Sequence, residues 1–284
     1  MRRCKWLAGV LAVGLCVVSV AGKPMQADAA PVRSADDSAY RAVFDAQYYY
    51  DRYTDLQTAI GNDPEKLYAH FVNSGISEGR SGSEEFNLRA YIQKNPDLMQ
   101  AFGEDFAQYC RHYVESGRAE GREALADVKS DVLGTYSSTY DVNEQRAVNV
   151  ELAAQRINGV VLAPGEEFSF SRTILPRTYK NGYVLGPSFA GGREVLSVGG
   201  GICQVSSTLY VAMIQAVLPS TERYTHSLPV DYVPKGLDAT IAENAKDLKF
   251  VNIYSKPLVI SATTQDGVLT VSLSFEKEKS AKMD

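Results

Sequence analysis

The stretch Gly199-Gly200-Gly201-Ile202-Cys203-Gln204-Val205-Ser206-Ser207-Thr208-Leu209-Tyr210 decides how this chain of 284 residues is read. Consecutive glycines let the backbone turn sharply and approach a ligand closely, which makes Gly200 and Gly201 candidate substrate-binding positions. Apolar Val205, Leu209, Met213 and Ala216 follow at helical spacing, and Pro219 stops the pattern. The spacing predicts a helix from about Cys203 to Leu218 with one buried face. Cys203 then stands at or just before the first turn, where unpaired N–H groups and the helix dipole favour an anion. A thiolate is such an anion, and a helix start lowers a thiol pKa from ~8.5 into the range of roughly 3.5–7.5. The same N–H groups, near Cys203 and Gln204, are placed to hold an oxyanion on an attacked carbonyl. The competing reading is a buried, inert cysteine after a glycine-rich turn. A phosphate cradle is set aside because the lysine of a P-loop is missing.

Outward from this helix the pattern alternates between short helices and strands. Val148, Leu152, Ala153 and Ile157 repeat at helical spacing behind Asp141-Val142-Asn143-Glu144, which resembles a capping arrangement, and Asn158-Gly159 ends the run. Apolar runs at 160–162, 167–170 and 183–189, broken by Gly and Pro, read as strands. Lys249 to Ile253, Leu258 to Thr263 and Val268 to Phe275 are strands again, with Asp266-Gly267 a strong hairpin signal. Residues 131–276 are therefore expected to form an α+β domain, two helices against a mostly antiparallel sheet. Within it His226 supplies the one imidazole available to Cys203, and Cys–His pairing is the usual route to an activated thiol. Asp238 or Asp231 would orient the ring. One His and one Cys with scattered acids fall short of a metal set, so neither a metal nor another cofactor is expected.

Residues 40–123 repeat themselves. Phe44 matches Phe86, Asp55-Leu56 matches Asp97-Leu98, Gly61 matches Gly103, His70 matches His112, and Glu78-Gly79-Arg80 matches Glu120-Gly121-Arg122, always 42 apart. Such a period means two copies of one small all-helical unit packed side by side. Each unit reads as two short helices, capped by Asp45 and Asn87, with Asp63-Pro64-Glu65 opening the second and Gly75 and Gly117 in the place of left-handed caps. Cys110 stands where the first unit has Tyr68, which marks a packing position and an inert thiol. A polar link around Asp127 to Asp131 joins the repeats to the α+β domain.

The N-terminus addresses the compartment. Arg2, Arg3 and Lys5 precede an apolar run from Leu7 to Ala21, and Ala27-Asp28-Ala29 is a small-x-small exit. Residues 1–29 read as a secretory signal peptide, so the mature chain is secreted or cell-wall associated; an uncleaved membrane anchor is the alternative. Leu15 before Cys16 does not suit a lipobox. Cleavage leaves Cys110 and Cys203, too few for a disulfide framework. A net charge of −5 without a basic block argues against nucleic acid as a partner.

The residues from Val198 to Tyr210 resemble the signature of the VanW domain family. So do His226-Ser227, Tyr232-Val233-Pro234, Asp238-Ala239-Thr240 and Asp247-Leu248-Lys249-Phe250, and upstream Asn149, Ile157-Asn158-Gly159, Pro164-Gly165-Glu166 and Phe168-Ser169-Phe170. Ser171 departs from the pattern, where Asn is expected. The resemblance implies an L,D-transpeptidase that cross-links peptidoglycan stem peptides through a thioester on Cys203, with His226 as acid and base. Arg193 or Arg223 would then bind a stem carboxylate, and the helical repeats are similar to modules beside cell-surface enzymes, with a cell-wall polymer as partner. A hydrolase or carboxypeptidase using the same acyl-enzyme, or a non-catalytic wall-binding protein with Cys203 structural, are the other readings.

Overall fold

A computed structural model describes residues 37–125, 131–243 and 245–277. The expected signal peptide and most of the polar link lie outside the described residues. Among the described residues no helix is long and apolar enough to cross a membrane.

The helical part opens with α1 (Asp37–Arg41). The first repeat holds α2 (Ala46–Arg52), α3 (Thr54–Ala59) and α4 (Pro64–His70); the second holds α5 (Leu88–Lys94), α6 (Asp97–Phe102) and α7 (Phe106–His112). α4 and α7 each continue into a wider π-helical turn, Phe71–Gly75 and Tyr113–Gly117. Each unit thus has three helices where the spacing predicts two, because the backbone leaves helical geometry at Tyr53 (φ −117°, ψ 90°) and Asn95 (φ −127°, ψ 66°). Asp45 and Asn87 cap as their residue types suggest, accepting from the N–H groups of Tyr48 and Ala90.

The same hydrogen bond pins both units: Tyr49 Oη lies 3.0 Å from His70 Nδ1, and Tyr91 Oη lies 2.8 Å from His112 Nδ1. Gly75 and Gly117 belong to this contact and are not left-handed caps; the positive φ belongs to Gly79 (66°) and Gly121 (70°). A Cβ at Gly75 would stand 2.2 Å from Tyr49 Oη, and one at Gly117 2.0 Å from Tyr91 Oη, so both positions are empty of side chain to admit a buried phenol. Cys110 is buried as Tyr68 is, and burial pushes its thiol up to about 12.

The C-terminal part is α+β. Its elements are β1 (Val132–Thr139), α8 (Ala147–Ile157), β2 (Val160–Leu162), β3 (Glu167–Ser169), α9 (Phe170–Ile174), β4 (Leu185–Ala190) and β5 (Arg193–Val198). There follow α10 (Cys203–Gln215), β6 (Ser220–Glu222), β7 (Lys249–Val251), β8 (Leu258–Gln265) and β9 (Val268–Phe275). The main sheet is antiparallel, in the order β1-β9-β8-β2. Asp266 and Gly267 both have positive φ, 50° and 77°, the left-handed pair that a tight β8–β9 hairpin needs. Strand alternation sorts the faces: Ile260, Ala262, Val271 and Leu273 are buried beneath the helices, while the pairs Ser261–Ser272 and Thr263–Thr270 lie on the reverse. α10 packs on β1 and β9, and α8 on β8. A second sheet, β3-β7-β6, and the β4–β5 hairpin complete the domain. The run expected as a strand at 167–170 turns into α9 at Phe170, where Ser169 caps the helix by accepting from Arg172 N–H.

The second repeat packs directly on this domain. Glu104 accepts from Ser220 N–H (3.0 Å) and its hydroxyl (2.9 Å), Gln93 donates to Leu133 O (2.6 Å), and Arg89 donates to Tyr254 Oη (3.2 Å). Their first-repeat counterparts are Asn62, Asp51 and Gln47, so the two units diverge where the second one docks.

The glycine–phenol contact makes a prediction. Gly117→Ala forces Tyr91 Oη away from His112 and is expected to destabilise the chain by about 1–3 kcal/mol, the usual cost of overpacking a core. In a Tyr91→Phe background, which has no hydroxyl to displace, the same change should cost clearly less. Denaturant unfolding of the four chains tests this, and strictly additive effects would show that the hydroxyl is not what excludes a side chain at Gly117.

Candidate active site

α10 is not amphipathic. Every residue from Gln204 to Gln215 is buried, which corrects the single buried face read from the sequence. Its polar side chains must therefore find partners inside the protein. On one side they hold β1: Gln204 Nε2 donates to Ser138 Oγ (3.0 Å) and Thr139 O (2.8 Å), Thr208 Oγ1 lies 2.8 Å from Ser138 Oγ, and Gln215 accepts from Thr135 N–H. On the other side they hold the segment 238–241. Ser206 Oγ donates to Ala239 O (2.6 Å), and Ser207 Oγ accepts from Ala239 N–H (2.9 Å).

That second clamp brings together three residues from separate parts of the chain. Asp238 Oδ2 accepts from His226 N–H (2.6 Å) and lies 2.7 Å from His226 Nδ1, so backbone and ring of His226 share one carboxylate oxygen. Asp238 leaves the other ring nitrogen free, and His226 and the Cys203 thiol stabilise each other's charged forms. Cys203 is the first residue of α10 and partly buried. Ile241 N–H reaches its Sγ at 3.4 Å, and Thr240 Oγ1 lies 4.0 Å away. Asp231, the other acid considered for orienting the ring, is exposed on the surface.

The charges of the three groups support one another. Burial alone would raise the Cys203 pKa. The hydrogen bond and charge of His226, aided by Ile241 N–H and Thr240, outweigh burial and hold the thiol below its ordinary value. Burial alone would lower the His226 pKa; the hydrogen bonds to Asp238 and Cys203 overcome it and hold the imidazole at about 9. Asp238 is kept below its ordinary value by His226 against the opposing effect of burial. Between the thiol pKa and about 9 the pair is a thiolate beside an imidazolium, a nucleophile and a proton donor side by side.

The remaining expected site residues lie differently. Gly200 and Gly201 shape the turn before Cys203. A Cβ at Gly200 would stand 2.0 Å from Gly186 O on β4, and Gly201 has φ 100°, so packing and backbone geometry require both glycines. Gln204 is buried with its amide committed: besides its bonds to β1, its Oε1 accepts from Arg146 Nη1 at 3.1 Å. Its backbone N–H is also taken, by Gly201 O at 3.1 Å, which among the described residues leaves the Cys203 N–H for an oxyanion. Arg223 is spent on the loop that carries Asp238, donating to Asp238 O (2.8 Å) and Gly236 O (2.5 Å) and stacking over Tyr210. Arg193 is exposed at the tip of the β4–β5 hairpin.

Several neighbours of the triad were not singled out from the sequence as site residues. Phe189 from β4 and Tyr232 present their rings to the His226 ring nearly at right angles, with centroids 6.0 and 6.5 Å away. Only the string around Tyr232-Val233-Pro234 offered a cue to the position of Tyr232; Phe189 and the Ile241 N–H arrive through tertiary folding.

The VanW like protein family model matches residues 145–274. "Uncharacterized protein YoaR" of Bacillus subtilis (strain 168) is 39% identical over 152 residues, 53% of this chain and 50% of that protein. "Vancomycin B-type resistance protein VanW" of Enterococcus faecalis (strain ATCC 700802 / V583) is 32% identical over 143 residues, 49% of this chain and 52% of that protein. The chain spans about half the length of these curated relatives. No solved structure matches it. The matched segment runs from the turn before α8 into β9 and contains Cys203, His226 and Asp238, and the chain accordingly carries a VanW-family domain over residues 145–274.

Proposed function

We propose that the chain is an exported, cysteine-dependent acyltransferase of the bacterial cell wall, an L,D-transpeptidase that joins peptidoglycan stem peptides. The observation that carries this reading is the line of Asp238, His226 and Cys203 at the start of a buried helix. The Enterococcus relative, named as a vancomycin resistance protein, supports a cell-wall substrate.

In this reading Cys203 Sγ attacks the carbonyl carbon between an L-centre and a terminal D-residue. The oxyanion takes the Cys203 N–H, and the imidazolium of His226 gives its proton to the departing amine as the C–N bond breaks. The thioester is then attacked by an acceptor amine, whose proton passes to the neutral imidazole, and the thiolate leaves. Asp238 fixes the ring and stabilises its charged form. The helical repeats hold the enzyme on wall polymer.

Incubation of the protein with tetrapeptide muropeptides tests the reaction: cross-linked dimers are expected. Trimmed monomers would make it a hydrolase, and unchanged substrate would leave it a binding protein. Cys203→Ala should abolish turnover and Cys110→Ala should leave it intact; equal loss from both changes in folded protein would end the assignment.

The pH dependence follows from the two pKa shifts. Alkylation of Cys203 by iodoacetamide should already be fast below the ordinary thiol pKa of ~8.5, because the thiolate is favoured in the fold. Turnover, which needs the imidazolium as well, should fall again as pH passes about 9. His226→Ala removes the stabilising cation and leaves burial, so the alkylation midpoint should move upward. An unmoved midpoint would separate the imidazole from the thiol.

His226→Ala should also slow release of the acyl-enzyme more than its formation, since a thiolate held by a helix start and Ile241 N–H needs less help than an acceptor amine that must lose a proton. A covalent Cys203 adduct should accumulate in intact-protein mass spectra while overall turnover drops by about a hundredfold or more. Parent-like turnover would make His226 structural.

A further inference from the structure

Arg177 lies in the loop between α9 and β4, and its side chain is only 9% exposed. Its stem crosses the glycine turn: a Cβ at Gly199 would stand 3.4 Å from Arg177 Cδ. Its guanidinium faces Glu243, two residues beyond Ile241, whose N–H holds the Cys203 sulfur. Arg177 therefore packs on the turn before α10 and reaches toward a side chain carried by the strap after Asp238. Its nearest anion is poorly placed. Nη2 is 4.0 Å from Glu243 Oε2, beyond hydrogen-bond distance, and Nη2 is a buried donor with no hydrogen-bond partner among the described residues. Glu243 itself is 56% exposed. The other arginines near Cys203 are committed: Arg146 to Glu144 and Gln204, Arg223 to the backbone around Asp238.

A buried guanidinium with an empty donor is an unfinished contact, and the chemistry that finishes it is a carboxylate accepting two parallel N–H bonds. A loose ion pair with the exposed Glu243 carboxylate, beyond hydrogen-bond distance, is weak enough to be exchanged for such a ligand. We propose that Arg177 is the carboxylate anchor of the site, holding the free α-carboxylate of the residue that leaves when Cys203 is acylated, with Glu243 occupying that position until substrate arrives. This rests on the acyl-transfer reading above and deepens it. The donor must then be a peptide that ends one residue beyond the attacked carbonyl, and chains continuing further, or ending in an amide, are poor donors.

A matched pair of alkylating agents tests the anchor without a wall substrate. N-(iodoacetyl)glycine and N-(iodoacetyl)glycinamide react identically at carbon, the sulfur displacing iodide, and differ in a carboxylate at about the distance of a leaving residue's own. The readout is the ratio of their second-order rate constants for Cys203 in the full chain, followed by intact-protein mass spectrometry. Arg177→Gln should lower the carboxylate-to-amide ratio about fivefold, the order of one screened charge contact. Glu243→Gln should raise it, and Arg177→Lys should retain part of the preference. An unchanged ratio in Arg177→Gln overturns the anchor, as does an unchanged ratio in Glu243→Gln should the arginine variant fail to fold. A parent Cys203 that resists both reagents overturns the activated thiol first, and the anchor with it.

Discussion

A helix buried on all sides cannot leave a polar side chain unbonded, and α10 carries Gln204, Ser206, Ser207, Thr208 and Gln215 in its interior turns. An unpaired buried amide or hydroxyl costs on the order of 1–3 kcal/mol, so these residues dictate what may lie beside the helix. They accept β1 on one flank and the 238–241 strap on the other. The strap brings Asp238 to His226 and Ile241 N–H to Cys203. The arrangement of Cys203, His226 and Asp238 and the packing of the core are thus one hydrogen-bond problem with one solution, and the string after Cys203 serves the thiol through what it bonds rather than by touching it.

The middle of the triad is held differently from its two ends. Cys203 and Asp238 are tied to the same helix, one covalently and one through Ser206 and Ser207. His226 is held by the Asp238 carboxylate, twice, and by the edges of two aromatic rings. One of those rings, Phe189, belongs to a two-stranded hairpin outside both larger sheets and is itself 38% exposed.

Much of this was legible in the residues. Periodicity and hairpin chemistry fixed the α+β class, and Cys203 and His226 stood out by type and scarcity, whereas Asp238 was one of two candidate acids with Asp231 and was favoured only by the family resemblance. Polar residues around them were harder. Gln204 and Arg223 look like ligands in a linear string, because no pattern tells whether a polar side chain at a helix start points to a substrate or closes the protein's own backbone. Arg177 carried no sequence cue; its role depends on a contact with Gly199 and an ion pair with Glu243, far apart in the chain. The glycines of the repeats misled for a similar reason. Gly75 and Gly117 sit where a cap glycine would, but the neighbour that demands them is a tyrosine hydroxyl from another helix.

The docking of the second repeat reaches further than adhesion. Glu104 holds Ser220, the first residue of β6, and the chain leaving β6 supplies Arg223 and then His226. A unit that resembles an interchangeable module has thereby become a splint for the strand that leads to His226. A copy with asparagine at that position, as the first repeat has in Asn62, would lack the carboxylate that Ser220 bonds through both its N–H and its hydroxyl. The docked copy differs from its sibling at three positions that meet the domain, Arg89, Gln93 and Glu104, and of these the carboxylate is the one that grips the start of β6.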